Sequence, residues 1–450
     1  MSKLHPRGHA AVTECTEQGE LFGKVGRARI EASFDGGDLS SDAGGALLLR
    51  QAEARFGLLA AAARCLPDER DPDRVRHTRL AQLTQRVFGI ALGYEDLNDH
   101  DTLRSDQALR VALGQRHAAS SSPTLCRFEN AMGRAEAVAL HGVLVEQFIA
   151  GHDEAPEELV LDLDATDDAV HGQQEGRFFH GYYDHYCFMP LYVFAGHELL
   201  AAYLRPANVD GARHAGAVVK LLVKRLRQAW PHVRITVRAD SGFCRRRLLA
   251  WCERNDVSYV IGLAKNSRLN AHAAAAMSAA QARFEITGEK QRGFDEFRYA
   301  AGSWSTERRV ILRYEYGAQG GNPRYIVTNR DDEAAELYDA VYCQRGEMEN
   351  RIKEQQLGLF ADRTSCMGWW PNQFRLLLAS LAYTLMQGIR RVGLAGTELE
   401  RAQCSTIRLK LFKIGGAILR SVRRIRFLLS SACPYRELFM TAAERLRPSG

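Results

Sequence analysis

Residues 158–164 read ELVLDLD, and their strict alternation decides the fold. Leu159, Leu161 and Leu163 fall on one side of an extended chain while Val160, Asp162 and Asp164 fall on the other, the period of two that a half-buried strand needs. Two carboxylates therefore project to one side of a sheet. Downstream, the apolar runs 186–194 and 199–204 flank Ala195, Gly196, His197 and Glu198, which predicts a hairpin. Over 218–227 the spacing turns helical: Val218, Leu221, Leu222 and Leu226 make an apolar stripe, and Lys220, Lys224, Arg225 and Arg227 point elsewhere. Residues 233–240 read as a strand, 245–254 as a helix and 258–263 as a strand.

Three meandering strands followed by alternating helices and strands is the topology of the ribonuclease H-like fold, an α/β architecture whose mixed sheet is flanked by helices. That fold brings acidic strand ends together, and here Asp164 ends the first strand and Asp240 the fourth. The stretch 265–332 has a different character. Its runs 309–316 and 324–328 are joined by a glycine-rich segment at 317–322, which reads as a β-rich insertion into the core. Before the core, amphipathic runs at 78–92 and 103–113 and a Ser-Ser-Pro-Thr start signal at 121–124 predict a mostly helical region over 1–155, closed by an acidic, proline-containing linker at 152–158. Helical periodicity resumes at Glu333 and runs to the C-terminus, with breaks near 368–371, 393–396 and 415–416. The expected division is 1–155, a catalytic core over 156–360, and a basic helical region over 361–450.

A chain of 450 residues exceeds what one core usually organises, and its 46% hydrophobic content is ordinary for a folded protein. Its ten cysteines include no C-x-x-C pair, which argues against a zinc ribbon or a dense disulfide framework and fits a reducing cytoplasm. The first 22 residues lack the apolar core of a signal peptide, and the longest apolar run, 376–386, is too short and too polar to span a bilayer. The expectation is a soluble cytoplasmic protein with no membrane partner. A net charge of +6 tilts toward nucleic acid. Between Arg401 and Phe427 there are eight basic residues, Arg423 and Arg424 among them, and no acidic one. Such a segment either tracks a phosphate backbone or forms a solvated helix face. His171, His180 and His185 match no zinc spacing and are read as structural. Gly320 and Gly321 are not followed by the Lys-Ser/Thr of a phosphate-binding loop, which excludes a nucleotide triphosphatase reading.

Carboxylates drawn from two strands and a nearby helix suit Mg²⁺, a hard cation that takes oxygen ligands and keeps several waters. Glu349 offers the third. Tyr342, Arg345 and Glu349 are three and then four residues apart and share one helical face, which Lys353 continues. Arg345 is placed to clamp a phosphate, and Tyr342 to donate to one or stack on a terminal base; the alternative is an ordinary charged helix face. Asp162, Asp167 and Asp168 remain alternatives for the first carboxylate, whereas Glu347 points nearly opposite to Glu349. Trp304, inside the insertion, either stacks on a nucleobase or packs in the core.

The stretches LDLDATDDAVHGQQEGRFFHGYYDHYCFMPLYVF (161–194), VRADSGFCRRRLL (237–249), YVIGLAKN (259–266) and YCQRGEMENRIKEQ (342–355) resemble, in that order, DDE transposases of bacterial insertion sequences, and of these the IS thirteen-eighty group most. SPTLCRFEN (122–130) resembles the same group. The resemblance implies that Asp164, Asp240 and Glu349 are the catalytic carboxylates and ligands of Mg²⁺, with Mn²⁺ able to substitute. It implies cleavage of double-stranded DNA at the terminal inverted repeats of a mobile element and strand transfer into target DNA, by a homodimer that synapses two ends and is nucleoid-associated when bound to DNA. Tyr342 and Arg345 match the start of the superfamily signature Tyr-x2-Arg-x3-Glu-x6-Lys. The sequence departs from it where Gln356 stands in place of the lysine, leaving Lys353, one turn after Glu349, as the substitute on that face. On this reading the N-terminal helices and the basic C-terminal region bind DNA. The alternatives are a ribonuclease H-like nuclease without joining activity and a catalytically inactive DNA-binding descendant.

Overall fold

In the computed structural model the alternation at 158–164 becomes strand β1 (Glu158–Ala165), the middle of a large mixed sheet. The structure describes residues 41–448, with the backbone of Lys24–Val25, Ala28–Arg29 and Ser40; the N-terminal stretch read above for a signal peptide lies outside the described residues. β2 (Leu191–Ala195) and β3 (Glu198–Tyr203) follow as an antiparallel meander, turning at Gly196 with φ 59°. β4 (Arg234–Ala239) and β5 (Ser258–Leu263) lie parallel to β1 on its other side. The order β3-β2-β1-β4-β5 is that of a ribonuclease H-like sheet.

The apolar run at 186–194 does not form one strand. Pro190 has no N–H to give a ladder, and the chain divides there. His185–Phe188 pairs with Phe178–His180 and Asp168–Ala169 in a separate three-stranded sheet, and only Leu191–Ala195 joins β1. The inserted segment opens with a 21-residue helix, Ser267–Thr287, capped by Asn266 and ended by Gly288 at φ 70°. Its strands β6 (Gln291–Tyr299), β7 (Arg308–Gly317) and β8 (Arg324–Thr328) pair antiparallel with one another, and β8 adds to β5, so the insertion lengthens the main sheet.

Helices cover both faces. On one, α1 (Ala215–Ala229), α2 (Arg246–Arg254) and the helix Ser267–Thr287 bury Val219, Leu222 and Leu226, Leu248 and Leu249, and Leu269 against Leu161, Leu163, Ile235, Val237 and Tyr259. In α1 the buried stripe runs through Ala215, Val219, Leu222, Val223 and Leu226, and Leu221 faces solvent, one position off the stripe read from the sequence. On the other face lie the helical run 334–358 and α3 (Trp369–Gly388). All residues of α3 from Pro371 to Gly388 are buried. Its apolar run is the axis of a helical body whose core joins N-terminal residues such as Leu49, Phe88 and Leu140 to C-terminal ones such as Phe412 and Phe439. Among the described residues no helix is long and apolar enough to cross a membrane, and all nine described cysteines are free.

The expectation that helical periodicity resumes after the break at 415–416 is corrected by the structure. Short helical turns at Cys404–Ile407 and Arg408–Phe412 give way to a β-hairpin, Gly416–Arg420 with Ile425–Leu429. Ile418, Phe427 and Leu429 alternate onto the helical core, a period of two within a run that helical spacing also fits.

Candidate active site

Because Leu159, Leu161 and Leu163 are drawn into the core on one face, Asp162 and Asp164 must emerge on the other, beneath the helical run 334–358. The two acids meet different fates there. Asp162 is fully buried and held by Arg238, its cross-strand neighbour on β4, with Arg238 Nη2 donating to Asp162 Oδ2 at 2.7 Å. The same guanidinium donates to the carbonyl of Val341, tying the helical run to the sheet. Asp162 is therefore spent on structure.

Asp164 lies one residue beyond the Leu163–Ala239 register pair, and Asp240 lies one residue beyond it on the parallel strand β4. Adjacent strands are about 4.8 Å apart, so the two carboxylates leave the sheet side by side. Asp240 also starts the turn Ser241–Phe243 by accepting from Gly242 N at 2.8 Å. Glu349 comes from above, on the α-helical part Gly346–Lys353 of the run, whose pitch changes from a wide π-type turn over Leu337–Tyr342 through a tight turn at Cys343–Arg345. Arg345 spans the gap: its guanidinium lies 3.6 Å from Asp164 Oδ2 and 2.9 Å from Glu349 Oε1.

Electrostatics bind the group together. Burial pushes the Asp164 carboxyl up to about 6; the Arg345 charge and a hydrogen bond from Ala165 N oppose this, and Asp240 and Glu349 add repulsion. Burial pulls on the Arg345 guanidinium in the opposite sense, yet Asp164, Tyr342, Glu349 and Asp240 together hold it above its ordinary value. Tyr342 is pushed up by burial, with the Arg345 charge opposing the rise and Asp240 adding to it. Gly262 on β5 makes this possible: a Cβ there would stand 2.6 Å from Tyr342 Oη and 2.8 Å from Ser241 N.

Among the described residues no three His, Cys, Asp or Glu side chains converge as they stand into a metal-holding group. The donor set nonetheless has the chemistry a hard divalent cation requires: three carboxylates, two fixed by neighbouring strands, and a buried one whose ionisation lacks sufficient positive charge. Glu349 is paired with Arg345, which also faces Asp164.

The remaining sequence candidates are placed apart from this cluster or at its rim. Lys353 ends the α-helical part of the run and is exposed. Gln356, standing where the signature lysine was expected, donates from Nε2 to the Asp167 carbonyl and to Asp168 Oδ1, both at 2.9 Å, and so pins the loop that follows Asp164. Asp168 itself is fully buried, pushed well up by that burial. His185 Nε2 contacts Asp167 Oδ2 at 2.8 Å. Trp304 sits in the connection between β6 and β7, edge-on to Tyr299 and covered by the Arg308 guanidinium, and packs partly buried against the core; its contacts are not with the carboxylate cluster. Arg423 and Arg424 lie exposed at the turn of the C-terminal hairpin. The part the sequence reading missed is the Arg238–Asp162–Val341 tie, although Arg238 stands on the same alternation as Asp240 and could have been found by pairing β1 with β4.

No curated protein matches the chain. Among solved structures, the piggyBac transposase in a synaptic complex with hairpin DNA is similar over 82% of this chain and 79% of its own, with 12% identity and a TM-score of 0.40. The pattern of the family described as transposase DDE domain group 1 runs from residue 22 to residue 450, through both acidic strand ends and the helix of Glu349, and this protein therefore belongs to that family.

Proposed function

We propose that the protein cleaves DNA at the ends of a mobile element and joins the freed 3′ ends to target DNA, with Asp164, Asp240 and Glu349 as its catalytic carboxylates. The observation that carries this reading is the emergence of Asp164 and Asp240 side by side from adjacent parallel strands, with Glu349 linked to Asp164 through Arg345. The three carboxylates would hold Mg²⁺, or Mn²⁺ in its place, which supplies Lewis-acid activation of a water or 3′-hydroxyl and neutralises charge on the leaving oxygen. Arg345, which faces both Asp164 and Glu349, would clamp a non-bridging phosphate oxygen. Tyr342, held over Gly262, fixes where that guanidinium sits. Gln356 and Arg238 act through others: they hold the loop after Asp164 and the helical run of Glu349 in register. The C-terminal hairpin, with Arg420, Arg423, Arg424 and Arg426, and the exposed Lys353 at the end of the helix of Glu349 offer charge for the DNA backbone. Joining two ends calls for a homodimer on the DNA.

The test is cleavage and strand transfer on DNA carrying the element's own ends, in Mg²⁺ or Mn²⁺ against EDTA. Metal-dependent nicking with joined product, lost in Asp164→Ala, Asp240→Ala and Glu349→Ala while end binding persists, is expected. Retained cleavage in any one variant removes that residue from the set, and cleavage without joined product makes the protein a nuclease.

A further inference from the structure

Folded chains bury their large aromatic side chains, so several left in water on one rigid element call for a partner. The small sheet inserted between β1 and β2 carries such a group. Its strands Phe178–His180 and His185–Phe188 pair in register, Phe179 opposite Tyr186 and His180 opposite His185. Alternation sends the two faces in different directions. One face looks to the carboxylates: His185 holds Asp167, and the Tyr183 ring, beside His180 and His185, has Asp167 and Asp164 as its charged neighbours. The other face and the tip look outward, with Phe179 52%, Tyr186 46% and Tyr182 85% exposed.

These outward rings are already ordered. Phe179 meets Tyr186 edge to face at 5.7 Å, Tyr182 meets Tyr183 at 5.0 Å, and the turn closes with Asp184 N donating to the His180 carbonyl at 2.9 Å. The Arg177 guanidinium lies 4.3 Å over the Tyr186 ring, placing a cation at the edge of the aromatic surface. An aromatic surface with an arginine, which reaches the side facing Asp164 only around its tip, where Tyr182 meets Tyr183 and Tyr183 stacks beside His185, matches what binds single-stranded nucleic acid: rings take base faces and the cation takes the backbone. Paired bases hide their faces in the duplex stack, so the occupant must be unpaired.

We infer that Phe179, Tyr182 and Tyr186 form a stacking platform for unpaired nucleobases of the DNA strand whose phosphate lies at Asp164, an inference that rests on the transposase reading above. The platform positions the strand and takes no part in bond breaking. A strand end separated from its complement at the cleavage site would lie along it, held near Asp164 for the joining step.

The experiment uses the full chain in EDTA and two probes: a blunt 30-base-pair duplex, and the same duplex with a ten-nucleotide single-stranded 3′ tail containing 2-aminopurine. The wild type is expected to bind the tailed duplex more tightly than the blunt one and to quench 2-aminopurine by stacking. Phe179→Ala/Tyr182→Ala should lose the quenching and weaken tailed binding by roughly 5- to 100-fold, with blunt binding and the thermal transition unchanged; Phe179→Tyr/Tyr182→Phe should keep both. Equal binding of the two probes by the wild type, or quenching retained in the alanine variant, overturns the platform. So does a change of sedimentation in the alanine variant with quenching intact, which would make the surface a contact between two copies of this chain. Wild-type protein that quenches but never cleaves its own ends in Mg²⁺ or Mn²⁺ defeats the catalytic reading alone, and protein that cleaves without quenching defeats the platform alone.

Discussion

Replacing Asp164 by Asn should make the metal-free protein more stable at neutral pH while destroying its chemistry. Folding moves the ionisation of this carboxyl from 3.8 to about 6, chiefly because it is buried with too little compensating charge. Its folded value lies above its unfolded one, so the folded state binds the proton more tightly. Below about pH 4 both states are protonated and the group contributes little; as pH rises through 6 the folded state must ionise it, and the cost levels off at about 3 kcal/mol. Only 14% of the side chain is exposed, so solvent screens little of this, and the attraction of Arg345, 3.6 Å away, is already contained in that value. A gain of up to about 3 kcal/mol for Asp164→Asn at pH 8 in EDTA is expected, shrinking toward zero near pH 4. Urea or thermal unfolding of both proteins across pH 4–8 measures it, and added Mg²⁺ should raise the stability of the wild type and not of the variant. A variant less stable than the wild type at pH 8 in EDTA, or a gain that does not change with pH, would refute the argument that Asp164 is held ionised against its surroundings.

Arg238→Ala leaves Asp162 buried without a partner and should cost about 3–5 kcal/mol in unfolding experiments, whereas the paired replacement Asp162→Leu/Arg238→Met should recover most of it. Gly262→Ala forces a methyl to within 2.6 Å of Tyr342 Oη and 2.8 Å of Ser241 N; cleavage should fall sharply, with a stability loss of about 1–3 kcal/mol. Gln356→Ala removes the hydrogen bonds to the Asp167 carbonyl and to the buried Asp168 carboxyl, and a loss of about 1–3 kcal/mol in denaturant titration is expected. Arg423→Ala/Arg424→Ala should weaken DNA binding without regard to sequence and reduce the slope of log affinity against log salt by about 2.

Much of the core was legible because its strands alternate strongly. ELVLDLD can bury three leucines on one face only by presenting both aspartates on the other, and 258–263 was bounded to the residue, since a buried strand between polar turns leaves little latitude. Reading failed where two periods fit the same residues. The segment 416–429 is arginine- and leucine-rich enough for a helix, and its pairing as a hairpin rests on Ile418, Phe427 and Leu429 finding a core built by residues hundreds of positions earlier. The helix Ser267–Thr287 was hidden by its own composition: a long alanine-rich run has little amphipathic contrast, and the neighbouring strands coloured the whole segment as β. At the site, the spacing of Tyr342, Arg345 and Glu349 signalled a shared face, but not that Arg345 would reach across to Asp164.

What the sequence determined by itself are the periodic facts: the strand order, the two acids at strand ends, the glutamate one turn after an arginine, and the concentration of positive charge near the C-terminus. These follow from local geometry, because a side chain's face is set by the repeat of its own element. Which of those groups meet was decided by tertiary structure. Asp162 and Asp164 are equivalent in the alternation, yet one is neutralised by Arg238 and the other left short of positive charge, because β4 lies beside β1 in one register and no other. Likewise Gln356 is only a missing lysine in the sequence, and becomes a tether for the Asp164 loop once the helical run lies across the sheet. Charge pairing and burial are properties of contact between distant segments, and no period in the sequence encodes them.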